Sequence, residues 1–121
     1  MTDRLRVGVI GAGRWSASAH LPGFTRSPLC DVVMLCDLDR ELGEARARQF
    51  GIPEFVTDYE KMLARADIDV IDIVTRADHQ QMVFDVLEAG KHCLVEKPVC
   101  HDYRDVWRAQ RLAESKGLKT K

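Results

Sequence analysis

Hydrophobic positions along the chain follow two alternating rhythms. Short runs in which nearly every residue is apolar and often β-branched are separated by longer stretches with apolar residues three and four apart. The first kind predicts strands buried on both faces, and the second predicts amphipathic helices. Strands are expected at residues 5–10, 31–37, 55–57, 69–75 and 92–96. Helices are expected at 15–26, 40–50, 58–64, from 79 to just before Gly90, and 102–115. Asp39 and Asp58 stand where helix N-caps belong, and Gly51, Gly90 and Gly117 stand where helices should stop. Gly43, Ala47 and Phe50 share one helix face, Met82, Val83, Val86 and Leu87 form a stripe on another, and Val106, Ala109 and Ala113 share a third. Pro22 falls inside the first helix and predicts a kink or break near His20-Leu21-Pro22. Strand and helix alternate without linker, repeat or low-complexity segment. That pattern specifies an α/β fold, a doubly wound parallel sheet of strand order 3-2-1-4-5 in one domain spanning 1–121.

Composition narrows the class further. At 121 residues the chain can bury one core, and 18 Lys+Arg against 19 Asp+Glu leave a net charge of −1. Neither nucleic acid nor a membrane surface is favoured as a partner. The charged start, Met1-Thr2-Asp3-Arg4-Leu5-Arg6, is unlike a signal peptide, and no apolar run reaches spanning length, so a cytoplasmic location is expected. Cys30, Cys36, Cys93 and Cys100 show no metal-type spacing with the four histidines, and no metal site is expected. Cys36 and Cys93, inside apolar runs, read as small core residues.

The chemistry concentrates at the carboxyl ends of the strands. After the first strand comes Gly11-Ala12-Gly13-Arg14-Trp15-Ser16, a G-x-G-x-x-S turn that opens a helix. Gly11 permits a tight turn, Gly13 lets backbone approach phosphate oxygens, and the amides opening the helix face the anion with the positive end of the dipole behind them. Arg14 and Trp15 lie within that turn, and Trp15 reads equally well as a packing residue. Asp37 closes the second strand, 21 residues after Ser16, where a carboxylate can accept hydrogen bonds from the adenosine ribose. A bare carboxylate repels a 2′-phosphate, so NAD is the expected cofactor. Arg40 nearby leaves room for NADP. Lys97, after the fifth strand, is placed to polarise a carbonyl or steady an alkoxide during hydride transfer, although a lysine before a proline turn is also ordinary surface. His20 and His92 read as structural, and His101 as loop.

The sequence resembles the Gfo/Idh/MocA oxidoreductases, a family named for glucose–fructose oxidoreductase and inositol dehydrogenase. The resemblance runs through the glycine turn, His20-Leu21-Pro22, Thr57-Asp58-Tyr59-Glu60-Lys61-Met62-Leu63 and, most specifically, Ala89-Gly90-Lys91-His92 leading to Glu96-Lys97-Pro98. It covers nearly the whole chain but only that family's N-terminal cofactor domain. The resemblance implies that Gly11 and Gly13 hold the pyrophosphate and Asp37 the ribose. It further implies that Thr75 and His79 lie along the cofactor, and that Glu96 and Lys97 lie by the nicotinamide. Lys97 would reach the substrate oxygen of a sugar, cyclitol or polyol-like alcohol or ketone. Two positions depart from the family. Ser16 replaces a Gly or Ala and is expected to loosen helix–strand packing slightly, and Arg76 stands where proline is usual.

Residues 117–121 end where that family's sixth strand should begin, before its substrate domain. A chain of this length is therefore expected to bind cofactor with little or no turnover, as a fragment or natural truncation. Its fifth strand is expected to be an open sheet edge that pairs with a second copy in a homodimer or strand-exchanged assembly. The competing functions are a stand-alone dinucleotide-binding or sensing module and a methyltransferase-like nucleotide binder. The E-K-P segment argues against the latter.

Overall fold

The computed structural model describes residues 3–76 and 78–121. Met1 and Thr2 of the charged start, and Ala77 within the Thr75-to-His79 segment, lie outside those residues. Strands β1 (Leu5–Ile10), β2 (Cys30–Cys36), β3 (Glu54–Val56), β4 (Val70–Ile73) and β5 (His92–Val95) form one parallel sheet in the order β3-β2-β1-β4-β5. Helices α1 (Leu21–Arg26), α2 (Arg40–Phe50), α3 (Tyr59–Leu63), α4 (Gln80–Glu88) and α5 (Tyr103–Ser115) complete the alternation. Both the order and the layering agree with the sequence pattern.

The central strand β1 carries Val7 and Val9, which are fully buried, because helices cover the sheet on both faces. On one face α1 and α2 pack Leu21 and Ala47 against Val7, Val9 and Leu35. On the other, α4 and α5 pack Val83, Val86, Leu87, Ala109 and Ala113 against Ile71, Ile73 and Cys93. Cys36 and Cys93 are core residues. Helix starts follow the sequence closely. The Asp39 carboxylate accepts from the Leu42 N–H, that of Asp58 from Glu60, and that of Asp102 from Arg104, each satisfying an amide that the helix itself leaves unpaired. No helix among the described residues is long and apolar enough to cross a membrane.

Three expectations need correction or refinement. Near His20-Leu21-Pro22, where a kink or break is expected, the first helix is irregular but does not break. Its backbone stays helical at Trp15, His20 and Leu21, and the disturbance is absorbed one turn earlier, in a π-helical turn at Ser16–His20. There the Leu21 N–H donates to the Ser16 carbonyl five residues back. Pro22 has no N–H to give, and the widened turn accommodates its ring without ending the helix. Strand β4 is shorter than its apolar run and spans Val70–Ile73. Asp69 flanks it on one side, its N–H still donating to the Arg6 carbonyl at 2.8 Å while its carboxylate holds the Arg6 guanidinium in a fork. Val74 flanks it on the other, its N–H donating to the Ile10 carbonyl at 2.9 Å. Finally, the outer edge of β5 is not open. Cys93 and Val95 donate their N–H groups to the carbonyls of Lys119 and Lys121 at 3.0 and 2.9 Å, and Lys121 donates back to Cys93 at 3.0 Å. His92 Nδ1 also accepts from the Lys119 N–H. The last residues run parallel to β5, so the unpaired edge that was to recruit a second copy is already occupied.

Candidate functional site

Gly11 and Gly13 do different work in the turn after β1. Gly11 has a φ of +120°, and a Cβ on it would lie 2.8 Å from the Val74 carbonyl oxygen, so this turn touches the one after β4 directly. Around Gly13 there is open space: beyond its own chain neighbours, no heavy atom of the described residues lies within 4 Å of where a Cβ would be. That space belongs to a cleft of about 530 Å³ at the carboxyl ends of the strands. Gly11, Gly13, Asp37, Leu38, Thr75 and Arg76 are among its walls. A cleft at the point where strand order reverses, with bare backbone at the helix opening, suits a dinucleotide's phosphates.

Asp37 is fixed before any ligand arrives. Its Oδ2 accepts from the Ala12 N–H at 2.8 Å and its Oδ1 from the Asp39 N–H at 2.8 Å. Asp39 caps α2 on its own, so Asp37 is not needed there. Each of its oxygens keeps a free lone pair for a hydroxyl donor. Arg40, the residue that could have favoured an added phosphate, pairs with Glu44 at 3.0 Å and stacks over the Phe55 ring. Arg46, which sequence reasoning passed over, donates its Nε to the Ala12 carbonyl and braces the turn from α2.

Thr75 follows β4 with a buried hydroxyl that finds no partner among the described residues. His79 is buried, and both ring nitrogens are engaged, Nε2 with the Thr75 carbonyl at 2.7 Å and Nδ1 with the Pro98 carbonyl at 2.9 Å. It ties the Thr75 turn to the Lys97–Pro98 turn and has no ring nitrogen left for a ligand. Ser16, in the third-glycine position, is fully buried, and its hydroxyl has no partner among the described residues. Arg76 is exposed on the cleft wall.

Lys97 is exposed just beyond β5, across a cis peptide from Pro98, and none of the described carboxylates lies within 4 Å of its ammonium. Its neighbour Glu96 is heavily engaged. Glu96 Oε1 accepts from the Trp15 indole N–H at 2.8 Å and lies 2.8 Å from His20 Nε2. His20 Nδ1 in turn lies 2.7 Å from Asp72 Oδ2, in the middle of β4. The His20 and Trp15 hydrogen bonds hold the Glu96 carboxyl below the usual carboxylate range. Burial pushes Asp72 up to about 6, only partly offset by His20. Burial also works against a charged His20, but the contacts with Glu96 and Asp72 outweigh it and raise its pKa.

Sequence reasoning assigned His20 a structural part and missed Asp72. The signal was a lone carboxylate inside the apolar run Val70-Ile71-Asp72-Ile73, with no periodicity to put it at a surface. Lys91, within the family-like run, serves the fold. Its buried ammonium donates to the carbonyls of Arg65 and Ile68, and burial lowers its pKa.

Residues 5–120 match a family model described as an oxidoreductase family with an NAD-binding Rossmann fold, GFO_IDH_MocA. A dTDP-3,4-didehydro-2,6-dideoxy-alpha-D-glucose 3-reductase of Streptomyces violaceoruber is 34% identical over 94% of this chain and 33% of its own length. Among solved structures, KijD10, a 3-ketoreductase from Actinomadura kijaniata in complex with NADP, superposes with a TM-score of 0.90 at 31% identity. The overlap covers 96% of this chain and 37% of that one. GenD2 from gentamicin A biosynthesis, in complex with NAD, gives 0.92 at 27% identity over 99% of this chain and 34% of that one. The chain spans about a third of the length of these relatives.

Proposed function

Because the chain belongs to the Gfo/Idh/MocA family of oxidoreductases, we propose that its cleft holds a nicotinamide dinucleotide and that it serves hydride transfer to or from a sugar, cyclitol or polyol-like alcohol or ketone. One observation carries this reading. The Ala12 N–H hydrogen bond to Asp37 joins an uncluttered glycine turn and a ribose-type carboxylate in a single cleft. The open space at Gly13 and the Thr75 hydroxyl, which has no partner among the described residues, fit the same group.

In this assignment Gly11, Gly13, Arg14 and Trp15 form the pyrophosphate turn, where backbone amides and the helix opening meet the negative charge. Asp37 accepts hydrogen bonds from ribose hydroxyls, and its fixed charge disfavours a 2′-phosphate, so NAD is preferred to NADP. Thr75 lies along the cofactor, and His79 serves by holding the Thr75 and Pro98 carbonyls together. Glu96 and Lys97 stand by the nicotinamide end. The bound nicotinamide supplies or accepts the hydride. Lys97 Nζ polarises the substrate carbonyl in one direction and steadies the alkoxide in the other. A cytoplasmic setting, with the cofactor supplied from the cell's soluble pool, completes the proposal.

The test is a tryptophan-fluorescence titration with NADH, NADPH and S-adenosylmethionine. Saturable binding of NADH, weaker binding of NADPH and none of S-adenosylmethionine is expected. Binding of S-adenosylmethionine alone would move the cleft to a different chemistry.

A further inference from the structure

His20 lies between two carboxyl groups that approach it from different elements. Asp72 reaches it from the centre of β4 at 2.7 Å, and Glu96 from the end of β5 at 2.8 Å. The Trp15 and Phe24 rings flank it from its own helix, each with ring centroids 6.5 Å away. Cys93, beside Asp72, is kept a neutral thiol by burial, which pushes it up to about 12.

Proton counting limits what this arrangement can be. An ionised carboxylate only accepts hydrogen bonds, so both contacts form only if each carries a hydrogen. Three fully deprotonated groups leave one N–H on the neutral ring, enough for a single contact. The geometry seen here therefore requires one further proton in the trio, on the imidazole or on a carboxyl.

Removal of that proton has an unequal effect. The Asp72 side chain is fully buried, and its Oδ1 already lacks a partner among the described residues, so a second orphaned oxygen there would leave a carboxylate without any hydrogen bond in the core. Glu96 is about a quarter exposed and can turn to water. The remaining N–H stays on Nδ1 facing Asp72, and the Nε2 lone pair then faces Glu96 Oε1 and repels it.

We infer that Asp72 and His20 are positioning residues forming a proton-operated clasp, which draws Glu96 against Trp15 when protonated and releases it when deprotonated. Because Trp15 lies in the glycine turn and Glu96 directly precedes Lys97, the clasp fastens the phosphate end of the cleft to the Glu96-Lys97-Pro98 segment. Its consequence for cofactor binding rests on the dinucleotide reading above. The clasp itself does not.

The experiment is a pH titration of the unmodified ¹⁵N-labelled chain, without cofactor, followed at the His20 ring nitrogens and the Trp15 indole N–H. Trp15→Phe assigns the indole signal. His20 is expected to titrate above its ordinary 6.5, to retain the Nδ1–H tautomer when neutral, and to shift the Trp15 N–H with the same midpoint. In Asp72→Asn the His20 midpoint should fall. A histidine with a purely structural part would titrate without moving the indole. That outcome, an Nε2–H neutral form, or a midpoint at or below 6.5 would overturn the clasp. NADH affinity measured across the same range should weaken with that midpoint. A chain that binds no NADH but shows the linked titration would count against the dinucleotide reading and leave the clasp standing.

Discussion

Ala12 and Asp37 are joined by a 2.8 Å hydrogen bond from the backbone N–H to Oδ2, which makes the glycine turn after β1 and the carboxylate after β2 one preformed unit. A second amide, from Asp39, fixes the other oxygen. A 2′-phosphate would meet this immobile charge, with Arg40 committed to Glu44. NAD(H) is therefore expected to bind more tightly than NADP(H). Asp37→Ser should weaken NADH by about tenfold or more, the value of a charge-assisted hydrogen bond, while affecting NADPH less. Paired titrations of both cofactors against both proteins measure the gap. Preference of the unmodified chain for NADPH would remove Asp37 from the ribose.

The two glycines of the turn should fail in opposite ways. At Gly13 a Cβ meets none of the described residues beyond its chain neighbours, so Gly13→Val should keep the melting temperature within a few degrees yet abolish NADH binding by filling the cleft. Gly11 has a positive φ and a Cβ position 2.8 Å from backbone, so Gly11→Ala should cost about 1–3 kcal/mol of stability. Thermal melts beside NADH titrations separate the two. Full NADH affinity in Gly13→Val would place the phosphates elsewhere.

Elements whose cause is local could be read from the sequence. The buried strands, the Asp39 and Asp58 caps and the strand order follow from period, cap chemistry and crossover handedness, which neighbouring residues carry. Asp37 and the glycine turn were legible because a fixed spacing implies their meeting. The Asp72–His20–Glu96 chain was not, since Asp72 and Glu96 lie 52 and 76 residues from His20, and they meet only through the register of β1, β4 and β5 together with the helical turn that carries His20. The pairing of residues 119–121 with β5 was hidden for a different reason. Lys119-Thr120-Lys121 has no apolar signature, and its hydrogen bonds run through backbone groups that every sequence possesses.

Gly43 on α2 shows a packing constraint that helix propensity alone would misjudge. A Cβ there would lie 2.0 Å from the Phe55 ring of β3, and Arg40 stacks over that ring as well. Alanine gains about 1 kcal/mol as a helix former, but overpacking costs about 1–3 kcal/mol. Gly43→Ala should thus lower stability by about 1 kcal/mol in urea unfolding. A more stable variant would mean that Phe55 moves aside without cost.

Stability should be greatest in mildly acidic solution and fall on both sides. Asp72, raised by burial to about 6, favours the folded state below its unfolded value of 3.8 and gives up that contribution as pH rises through about 6. His20 is raised despite its burial, because Glu96 and Asp72 hold the imidazolium. Its contribution is complete below 6.5 and is lost as pH climbs through its higher folded value. Glu96, lowered by His20 and then Trp15, and Asp69, lowered by Arg6, act in the opposite sense. They stabilise above their unfolded values of 4.5 and 3.8, and the gain disappears as those carboxylates take up protons in acid. The urea midpoint is thus expected to decline with rising pH, between about pH 4 and 6 through Asp72 and above 6.5 through His20. It should fall again below about pH 4 as Glu96 and Asp69 take up protons. His20→Gln carries no titrating ring and should flatten the alkaline decline while leaving the Asp69 part of the acid one. An unmodified chain whose midpoint holds steady across the alkaline range would show that His20 gains nothing from its two carboxylates on folding.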